Sequence, residues 1–499
     1  MRPHDPILAQ ARRLIGRIRR RLTSAPQMTG IEPDRLSDAL RVLAEIEQLA
    51  PEHPDAVAVR RAVGGLFKAV KEERRAQRRS AILANDRTVT AATATGAPGR
   101  IDDETRGLAL ASGTTDARAG TLVRARACYV CKERYREVDF FYHQLCPACA
   151  DTNRRRRDAR TDLTGRRALL TGGRAKIGMY IALRLLRDGA HTTITTRFPR
   201  DAVRRFQAME DSGRWLHRLR VVGLDLRDPQ QVISLADAVA AQGPLDILIN
   251  NAAQTVRRSP AAYAHLIAAE QVPLPSGPLP EVIALGRTAI AADAASTQDP
   301  WSMTPPAVTA LALTAGSVTP ERIRTGTAID AGGLAPDLHA HNSWSQVVDE
   351  VDTLELLEVQ LCNQTAPFIL ISRLRAAMAR SGARRTYIVN VSAMEGQFAR
   401  GYKGPGHPHT NMSKAALNML TRTSASELLS DGILMTSVDT GWITDERPHP
   451  TKQRLADEGF HAPLDLVDGA ARVYDPIVRG EAGEDLHGVF LKDFEPSPW

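Results

Sequence analysis

LLTGGRAKIG, at residues 169–178, is the stretch that decides the fold. Its apolar start predicts a buried strand, Gly172 and Gly173 predict a tight turn, and the residues from Lys176 onward predict a helix. Glycines let the backbone of such a turn approach a pyrophosphate, whose negative charge is favoured by the start of the following helix. A glycine turn alone is a weak signal, so its interpretation depends on the sequence around it.

Strand and helix patterns alternate around this turn. Predicted strands lie at 168–171, 192–195, 219–224 and 247–250, and predicted helices at 177–188 and 232–241. Alternation of this kind predicts an α/β fold with a doubly wound parallel sheet and helices on both of its faces.

Further motifs follow in chain order: Asp225-Leu226, Asn250-Asn251-Ala252-Ala253, Asn363, Asn390-Val391-Ser392-Ala393 and Ser413-Lys414. Their order resembles that of the short-chain dehydrogenase/reductase family, from about Leu163 to the end of the chain. The resemblance implies a Rossmann domain that binds a dinucleotide. The cofactor-binding residues that it implies are Thr171, Gly172, Gly173, Arg174, Lys176, Ile177, Gly178, Arg197, Asp225, Leu226, Asn251, Ala252, Ala253, Lys414, Gly441 and Thr444.

Two basic residues bear on which dinucleotide is bound. Lys176 replaces the third glycine that the family usually has in its turn, and pteridine reductases of the same family similarly carry a basic residue there, associated with NADPH. Arg197 closes the second predicted strand, where a basic residue suits the 2′-phosphate of NADP and an acidic one suits the ribose of NAD. The sequence therefore favours NADP(H) over NAD(H). The alternative for Arg197 is an exposed loop residue.

The catalytic positions depart from the family pattern. The family's serine aligns with Ala393 and its tyrosine with Thr410, four residues before Lys414. The resemblance implies that Lys414 holds the nicotinamide ribose and that Asn363 orders a water chain to it. Thr410 can donate a hydrogen bond, but a hydroxyl of this kind is a poor acid near neutral pH.

Other groups near the predicted helix entrance are candidates for the missing proton donor. His407 and His409 flank Pro408, which suits a first helical turn, and histidine titrates in a useful range. The alternative is that both are exposed loop residues. Glu395 is a further titratable side chain with a weaker claim.

We therefore expect an NADP(H)-dependent oxidoreductase with an altered proton-donor site. The alternative is a catalytically silent protein that senses NADP(H) or acts as a scaffold. The identity of a small-molecule substrate is beyond the sequence.

The cysteines form a second motif. Cys128-x2-Cys131-x14-Cys146-x2-Cys149 has the spacing of a structural zinc site, in which four thiolates fill a tetrahedral shell and leave no open position. The sequence therefore predicts Zn²⁺ bound by these residues. A nucleic-acid role for this module, helped by the basic hinge at 154–157, is the less favoured alternative.

The composition divides the chain into four regions. We predict a basic helical region at 1–84, a linker at 85–120, a four-cysteine zinc module at 121–158 and a Rossmann domain at 159–499. A proline-rich insertion at about 257–342 interrupts the last region. This insertion could cover the substrate cleft, or it could be a surface excursion without contact with ligand.

Charge, hydropathy and cysteine usage indicate the partners and the cellular compartment to expect. Lys and Arg number 65 against 57 Asp and Glu, a modest excess that fits a solvated basic surface. No apolar run is long enough for a membrane helix, and paired thiols suggest a metal site in the reducing cytoplasm. A homo-oligomer formed through the Rossmann domain and a protein partner at the N-terminal helices are both compatible with the sequence.

Overall fold

The computed structural model describes residues 30–101, 104–106, 108, 118–286, 305–313, 318–444 and 446–499. A helical segment that the spacing predicts at residues 5–22 lies outside them. The chain divides into two compact units, Met1–Ile82 and Leu83–Trp499.

The first unit is helical. Helix α1 spans Pro33–Ile46 and helix α2 spans Pro54–Ala91, so α2 continues past residue 84 and the first residues of the predicted linker are helical. Apolar side chains on both helices remain exposed, among them Leu40 and Phe67. None of the described helices combines the length and the apolar character needed to cross a bilayer.

The second unit begins at Leu83, within α2, and contains the remaining elements. Its strands are β1 (Arg118–Ala127), β2 (Arg134–Asp139), β3 (Arg167–Leu170), β4 (His191–Thr196), β5 (Leu219–Gly223), β6 (Ile247–Asn250), β7 (Glu281–Ala284), β8 (Thr386–Ser392), β9 (Ile433–Asp439), β10 (Phe490–Lys492) and β11 (Glu495–Ser497). Its helices are α3 (Pro147–Arg157), α4 (Lys176–Arg187), α5 (Pro199–Gln207), α6 (Pro229–Ala241), α7 (Ala264–Gln271), α8 (Pro305–Ala312), α9 (Pro320–Arg324), α10 (Thr353–Gln360), α11 (Ala366–Ala379), α12 (Pro408–Leu429), α13 (His449–Asp457) and α14 (Leu466–Glu481).

A nine-stranded sheet forms the centre of this unit, in the order β11-β10-β9-β8-β6-β3-β4-β5-β7. All of its neighbouring strands are parallel except the β10–β11 pair. Strands β6, β8 and β9 are buried along their whole length, because helices cover both faces of the sheet. The structure confirms the predicted doubly wound α/β fold.

The insertion contributes to the sheet and to the cleft at its edge. Strand β7, which lies within it, pairs with β5 and extends the sheet by one strand. Residues of the insertion, including Arg258, Tyr263 and Asp330, line the large cleft described below. Some of the described residues of the insertion therefore border this cleft, whereas β7 lies at the edge of the sheet.

The four-cysteine region shares its core with the large sheet domain. Strands β1 and β2 form an antiparallel pair, and helix α3 follows them. Apolar residues of this module, such as Leu122 and Leu145, pack in one buried cluster with Ile443 and Leu464. The module is therefore joined to the sheet domain by a continuous apolar core.

Candidate functional site

The glycine turn joins β3 to α4 at the carboxyl edge of the sheet. Gly172 has φ +71°, and a Cβ there would lie 3.0 Å from the Cα of Ala252. The hydroxyl of Thr171 accepts hydrogen bonds from the backbone N–H groups of Asn251 and Ala252, each at 3.0 Å. The turn and the Asn-Ala-Ala segment are thereby held against each other.

A cleft of about 1410 Å³ opens beside this turn. The predicted cofactor residues that line it are Gly172, Arg174, Lys176, Ile177, Gly178, Arg197, Asp225, Leu226, Asn251, Ala252, Ala253, Lys414, Gly441 and Thr444. Thr171 and Gly173 belong to the turn but do not line the cleft. Gly173 packs closely against Ile194, since a Cβ on Gly173 would lie 2.5 Å from Cγ2 of Ile194.

Lys176 occupies a backbone conformation that favours glycine. Its φ is +52°, in the left-handed region that costs a residue with a Cβ. Its ammonium lies 3.9 Å from a carboxylate oxygen of Glu446. It also counteracts the effect of burial on Asp330, whose pKa is lowered. The cation that the sequence assigns to a phosphate thus already lies near two carboxylates.

Arg174 and Arg197 differ in their partners. Arg174 pairs with Asp201 at 2.5 Å and donates to the backbone oxygen of Gly332 at 2.7 Å. Burial would raise the pKa of Asp201, but the neighbouring arginines outweigh it and hold the pKa at about 2. Arg197 instead faces the ring of Tyr263, with its Nη2 3.4 Å from the hydroxyl oxygen. Arg174 is thus paired with a carboxylate, whereas Arg197 contacts a neutral side chain. Of the two arginines, Arg197 is therefore better placed to bind an external anion.

The carboxylate of Asp225, a predicted cofactor-binding residue, is bound by another side chain. Arg227 donates to its carboxylate from Nε at 3.0 Å and from Nη2 at 2.6 Å. A third donor of Arg227 reaches Glu358 at 2.6 Å. The Asp225 carboxylate therefore lines the cleft as a member of an ion-pair network.

Lys414 lies on the inner face of helix α12. It is buried, and its Nζ donates a hydrogen bond to the backbone oxygen of Val391 at 2.8 Å. Burial lowers the pKa of Lys414 to about 8. The ammonium is thus fixed at the carboxyl end of β8.

Asn363 lies in a π-helical segment, Leu361–Thr365, between α10 and α11. Its Oδ1 accepts from the backbone N–H of Gln254 at 2.7 Å, and its Nδ2 donates to the backbone oxygen of Gln254 at 3.0 Å. Nδ2 also lies 3.3 Å from the hydroxyl of Ser413, the residue before Lys414. Asn363 therefore links the segment after β6 to helix α12.

Three predicted catalytic residues, Asn363, Thr410 and His409, are not among the residues that line the cleft. Thr410 is 1% exposed, and its hydroxyl is buried without a hydrogen-bond partner. His409 is 2% exposed, lies 3.9 Å from Glu355, and burial lowers the pKa of its ring. The structure therefore does not bring Asn363, Thr410 or His409 to the lining of the cleft, and their catalytic roles stay a prediction.

His407 does line the cleft. It precedes helix α12 with φ +44°, and its ring stacks on Trp344 with the ring centres 3.9 Å apart. Since the backbone oxygen of Trp344 can only accept, the Nδ1 atom 2.9 Å away carries the proton. Nε2 is then the nitrogen that a ligand can meet.

Further residues line the cleft that the sequence motifs do not indicate as site residues. Three of them are Asn411, Asp439 and Tyr129. Asn411 lies three residues before Lys414, and this helical spacing was the signal that could have identified it. Asp439 ends β9, and its Oδ1 accepts from the N–H of Gly441 at 2.9 Å. Burial raises the pKa of Asp439 to about 6. Tyr129 comes from the four-cysteine module, so no local pattern indicated it.

The four predicted metal-binding cysteines lie together. The Sγ atoms of Cys128, Cys131, Cys146 and Cys149 are all within 4.8 Å of one another. Those of Cys131 and Cys146 are 3.7 Å apart, close to the roughly 3.8 Å expected across a tetrahedron with metal–sulfur distances of about 2.3 Å. The donors therefore fit one tetrahedral ion.

The arginines of the predicted basic hinge are engaged within the protein. Arg157 donates to Asp465 at 2.6 Å and to Asp468 at 2.9 Å, and both carboxylates are buried. The hydroxyl of Tyr142 donates to Asp468 at 2.6 Å. Arg156 pairs with Asp475 at 2.9 Å. These contacts attach α3 to α14 and pair Arg156 and Arg157 with carboxylates, whereas Arg155 is exposed and donates to the hydroxyl of Thr152.

The comparison with protein families agrees with the strand order and the glycine turn. A family model described as short chain dehydrogenase matches residues 166–271, which include β3, α4, β4, β5 and β6. The chain belongs to the short-chain dehydrogenase family. This match ends within the insertion, before helix α12.

The similarity to individual relatives extends further along the chain. An uncharacterised protein of Acanthamoeba polyphaga mimivirus is 31% identical over 366 residues, which are 70% of this chain and 71% of the viral protein. A probable oxidoreductase of Streptomyces antibioticus is 43% identical over 91 residues, 18% of this chain and 30% of that protein.

Solved structures resemble this chain at lower identity. A short-chain dehydrogenase from Burkholderia cenocepacia in complex with NADP is 22% identical, with a TM-score of 0.41, and the match covers 66% of this chain and 97% of that one. An NADPH-bound carbonyl reductase from chicken fatty liver is 17% identical, with a TM-score of 0.41, over 68% of this chain and 100% of that one.

Proposed function

We propose that this chain is an NADP(H)-dependent oxidoreductase in which the proton donor is not the tyrosine usual in its family. The observation that carries the proposal is one cleft lined by the glycine turn, by Arg197 and by Lys414. Arg197 follows β4 and Lys414 lies against the end of β8, so the two cations bracket the turn along the carboxyl edge of the sheet. This spacing suits an extended dinucleotide.

Arg197 is our candidate for binding the 2′-phosphate of NADP(H). Arg174 is tied to Asp201, and Lys176 lies near Glu446, so each has a carboxylate close by. Tyr263, beside Arg197, adds a hydroxyl that can donate to the same phosphate. The bound cofactor would supply a hydride at its nicotinamide end, where the residues around Lys414 and Gly441 would hold it.

We assign the chemistry next to the nicotinamide to two side chains of the α12 entrance. Asn411 carries an amide that can stabilise a developing oxyanion by hydrogen bonding, a role that Ala393 lacks the atoms to perform. His407, with Nδ1 bound to the Trp344 backbone oxygen, can deliver a proton from Nε2 when its ring is protonated. Trp344 fixes the ring in this orientation by stacking.

The test is a carbonyl substrate screen that follows NADPH absorbance, with the His407→Asn variant beside wild type. We expect His407→Asn to lower turnover by about a hundredfold or more and to leave NADPH affinity unchanged. His341→Asn, at an exposed position outside the cleft, is the matched control and should match wild type. Equal turnover in both variants would remove His407 from the mechanism.

The second candidate function is a catalytically silent NADP(H)-binding protein. It is favoured by the burial of Thr410 away from the cleft and by the absent side-chain donor at Ala393. Binding of NADPH without turnover of any substrate would support this second function. Activity that arises only after Thr410→Tyr and Ala393→Ser would support it further.

We also infer that Zn²⁺ is the ion held by the four cysteines. The donors are all sulfur, which zinc accepts in a tetrahedral arrangement, and they fill the coordination shell. The ion would therefore stabilise the module and take no part in hydride transfer. Metal analysis of the purified protein should give one zinc per chain.

A further inference from the structure

Tyr129 connects the four-cysteine module to the cleft. It stands between the metal-binding residues Cys128 and Cys131, yet it lines the cleft together with the glycine turn. Its hydroxyl oxygen accepts a hydrogen bond from the backbone N–H of Trp442 at 2.9 Å. Trp442 belongs to the segment after β9, which also contains Gly441 and Thr444, two of the predicted cofactor-binding residues.

The backbone of Tyr129 is held from within the module. Its N–H donates to the backbone oxygen of Gln144 at 2.8 Å, and the N–H of Lys132 donates to the backbone oxygen of Cys128 at 3.1 Å. Two thiolates bound to one ion would fix the chain on both sides of Tyr129. Without the ion, the four sulfurs lose the attraction that holds them together, and the position of this ring is less restrained.

The loop that contains Trp442 is held in place by contacts with residues from distant parts of the chain. Gly441 has φ +79°, and a Cβ there would lie 2.6 Å from Leu464 and 3.5 Å from the Tyr129 hydroxyl. On the other side, Asp439 accepts from the N–H of Gly441 at 2.9 Å. Tyr129 is thus one of the close contacts that determine where the loop meets the cleft.

We propose that Tyr129 is a positioning residue for the dinucleotide, and that through it the four-cysteine module forms part of the cofactor site, so that metal occupancy and dinucleotide affinity are coupled. This inference rests on the proposed function only in requiring that the cleft binds NADP(H). It adds a second role to the metal site, beyond the stability of its own module.

The first experiment compares two Tyr→Phe variants of the zinc-loaded protein by calorimetric titration with NADPH. Tyr129→Phe removes the acceptor for the Trp442 N–H and keeps the ring. Tyr135→Phe is the matched control, because its hydroxyl donates to the backbone oxygen of His143 at 2.8 Å inside the same module and Tyr135 does not line the cleft.

We expect Tyr129→Phe to raise the Kd for NADPH about threefold to tenfold, the contribution of one uncharged hydrogen bond, with one zinc per chain retained. Tyr135→Phe should leave the Kd at the wild-type value. Equal Kd values in the two variants would overturn the inference. A wild-type protein that binds no NADPH at all would instead contradict the proposed function.

The second experiment uses the reciprocity of coupled binding and needs no substrate. Transfer of zinc from the protein to a chromogenic chelator is followed with and without saturating NADPH. In wild type, NADPH should slow zinc release, and in Tyr129→Phe this protection should be reduced, whereas Tyr135→Phe should retain it. Identical release with and without NADPH in wild type would show that the two sites are independent.

Discussion

The guanidinium of Arg197 lies 5.2 Å from the ring centre of Tyr263, and its Nη2 is 3.4 Å from the Tyr263 hydroxyl oxygen. Arg197 follows β4, and Tyr263 lies in the insertion, so the insertion contributes to the part of the cleft around Arg197. Among the residues that the structure describes, no carboxylate pairs with Arg197 within 4.0 Å. An arginine in this position is available to an external phosphate.

Substitution of Arg197 should therefore change cofactor choice. In Arg197→Ala, we expect the Kd for NADPH to rise at least tenfold, because hydrogen bonds to a charged phosphate are lost, while the Kd for NADH stays the same. Calorimetry with both cofactors measures the ratio. Arg174→Ala is the contrasting variant, since loss of the Asp201 pair should lower stability with a smaller effect on the ratio. An unchanged ratio in Arg197→Ala would contradict the assignment.

Loss of one cysteine ligand should remove the metal and destabilise more than the module. In Cys146→Ser, we expect less than one zinc per chain and a lower Tm, because Leu122 and Leu145 of the module share a core with Leu464 of the sheet domain. Metal analysis and thermal unfolding measure the two effects. Cys362→Ser is the control, as that thiol lies outside the cluster and should leave the zinc content unchanged. Full zinc retention in Cys146→Ser would refute the ligand assignment.

The left-handed backbone conformation of Lys176 should lower the free energy of unfolding of the protein by a measurable amount. Lys176→Gly and Lys176→Ala both remove the ammonium group, but only glycine relieves the conformation at φ +52°. We expect the glycine variant to be more stable than the alanine variant by about 1 kcal/mol. Denaturant unfolding of the two variants without cofactor gives this difference. An alanine variant of equal or greater stability would show that the backbone is not strained here.

Asp439 should make stability depend on pH in a defined direction. Its folded-state pKa, raised to about 6 by burial, exceeds the value of about 3.9 expected for the unfolded chain. The folded state therefore binds the proton more tightly, and its contribution is fully present below about pH 4 and is lost as the pH rises through 6. The resulting loss at neutral pH is on the order of 3 kcal/mol.

The variant Asp439→Asn isolates this effect, because an amide oxygen can still accept from the N–H of Gly441. We expect the free energy of unfolding of the variant, relative to wild type, to rise between pH 4 and pH 6 and then to level off. Denaturant unfolding over this pH range measures the difference. A difference that does not change with pH would mean that Asp439 titrates normally.

The sequence by itself determined the parts whose signals are local. The run from Leu169 to Gly178 predicts strand, turn and helix from spacing alone, and the structure has β3 and α4 on either side of that turn. The spacing of the four cysteines predicts one tetrahedral cluster because each Cys-x-x-Cys pair already brings two sulfurs together. Such signals depend only on residues that are close in the sequence, so they can be recognised without knowledge of the fold.

Only the tertiary structure decided which side chains meet at the cleft. Thr410, His409 and Asn411 lie side by side in the sequence, but only Asn411 lines the cleft, because the packing of helix α12 buries the other two. The pairing of Arg174 with Asp201 and the approach of Tyr129 to Trp442 were equally beyond local patterns. Hydrogen bonds and ion pairs act over a few ångströms in space, and that proximity is created by the fold rather than by distance along the chain.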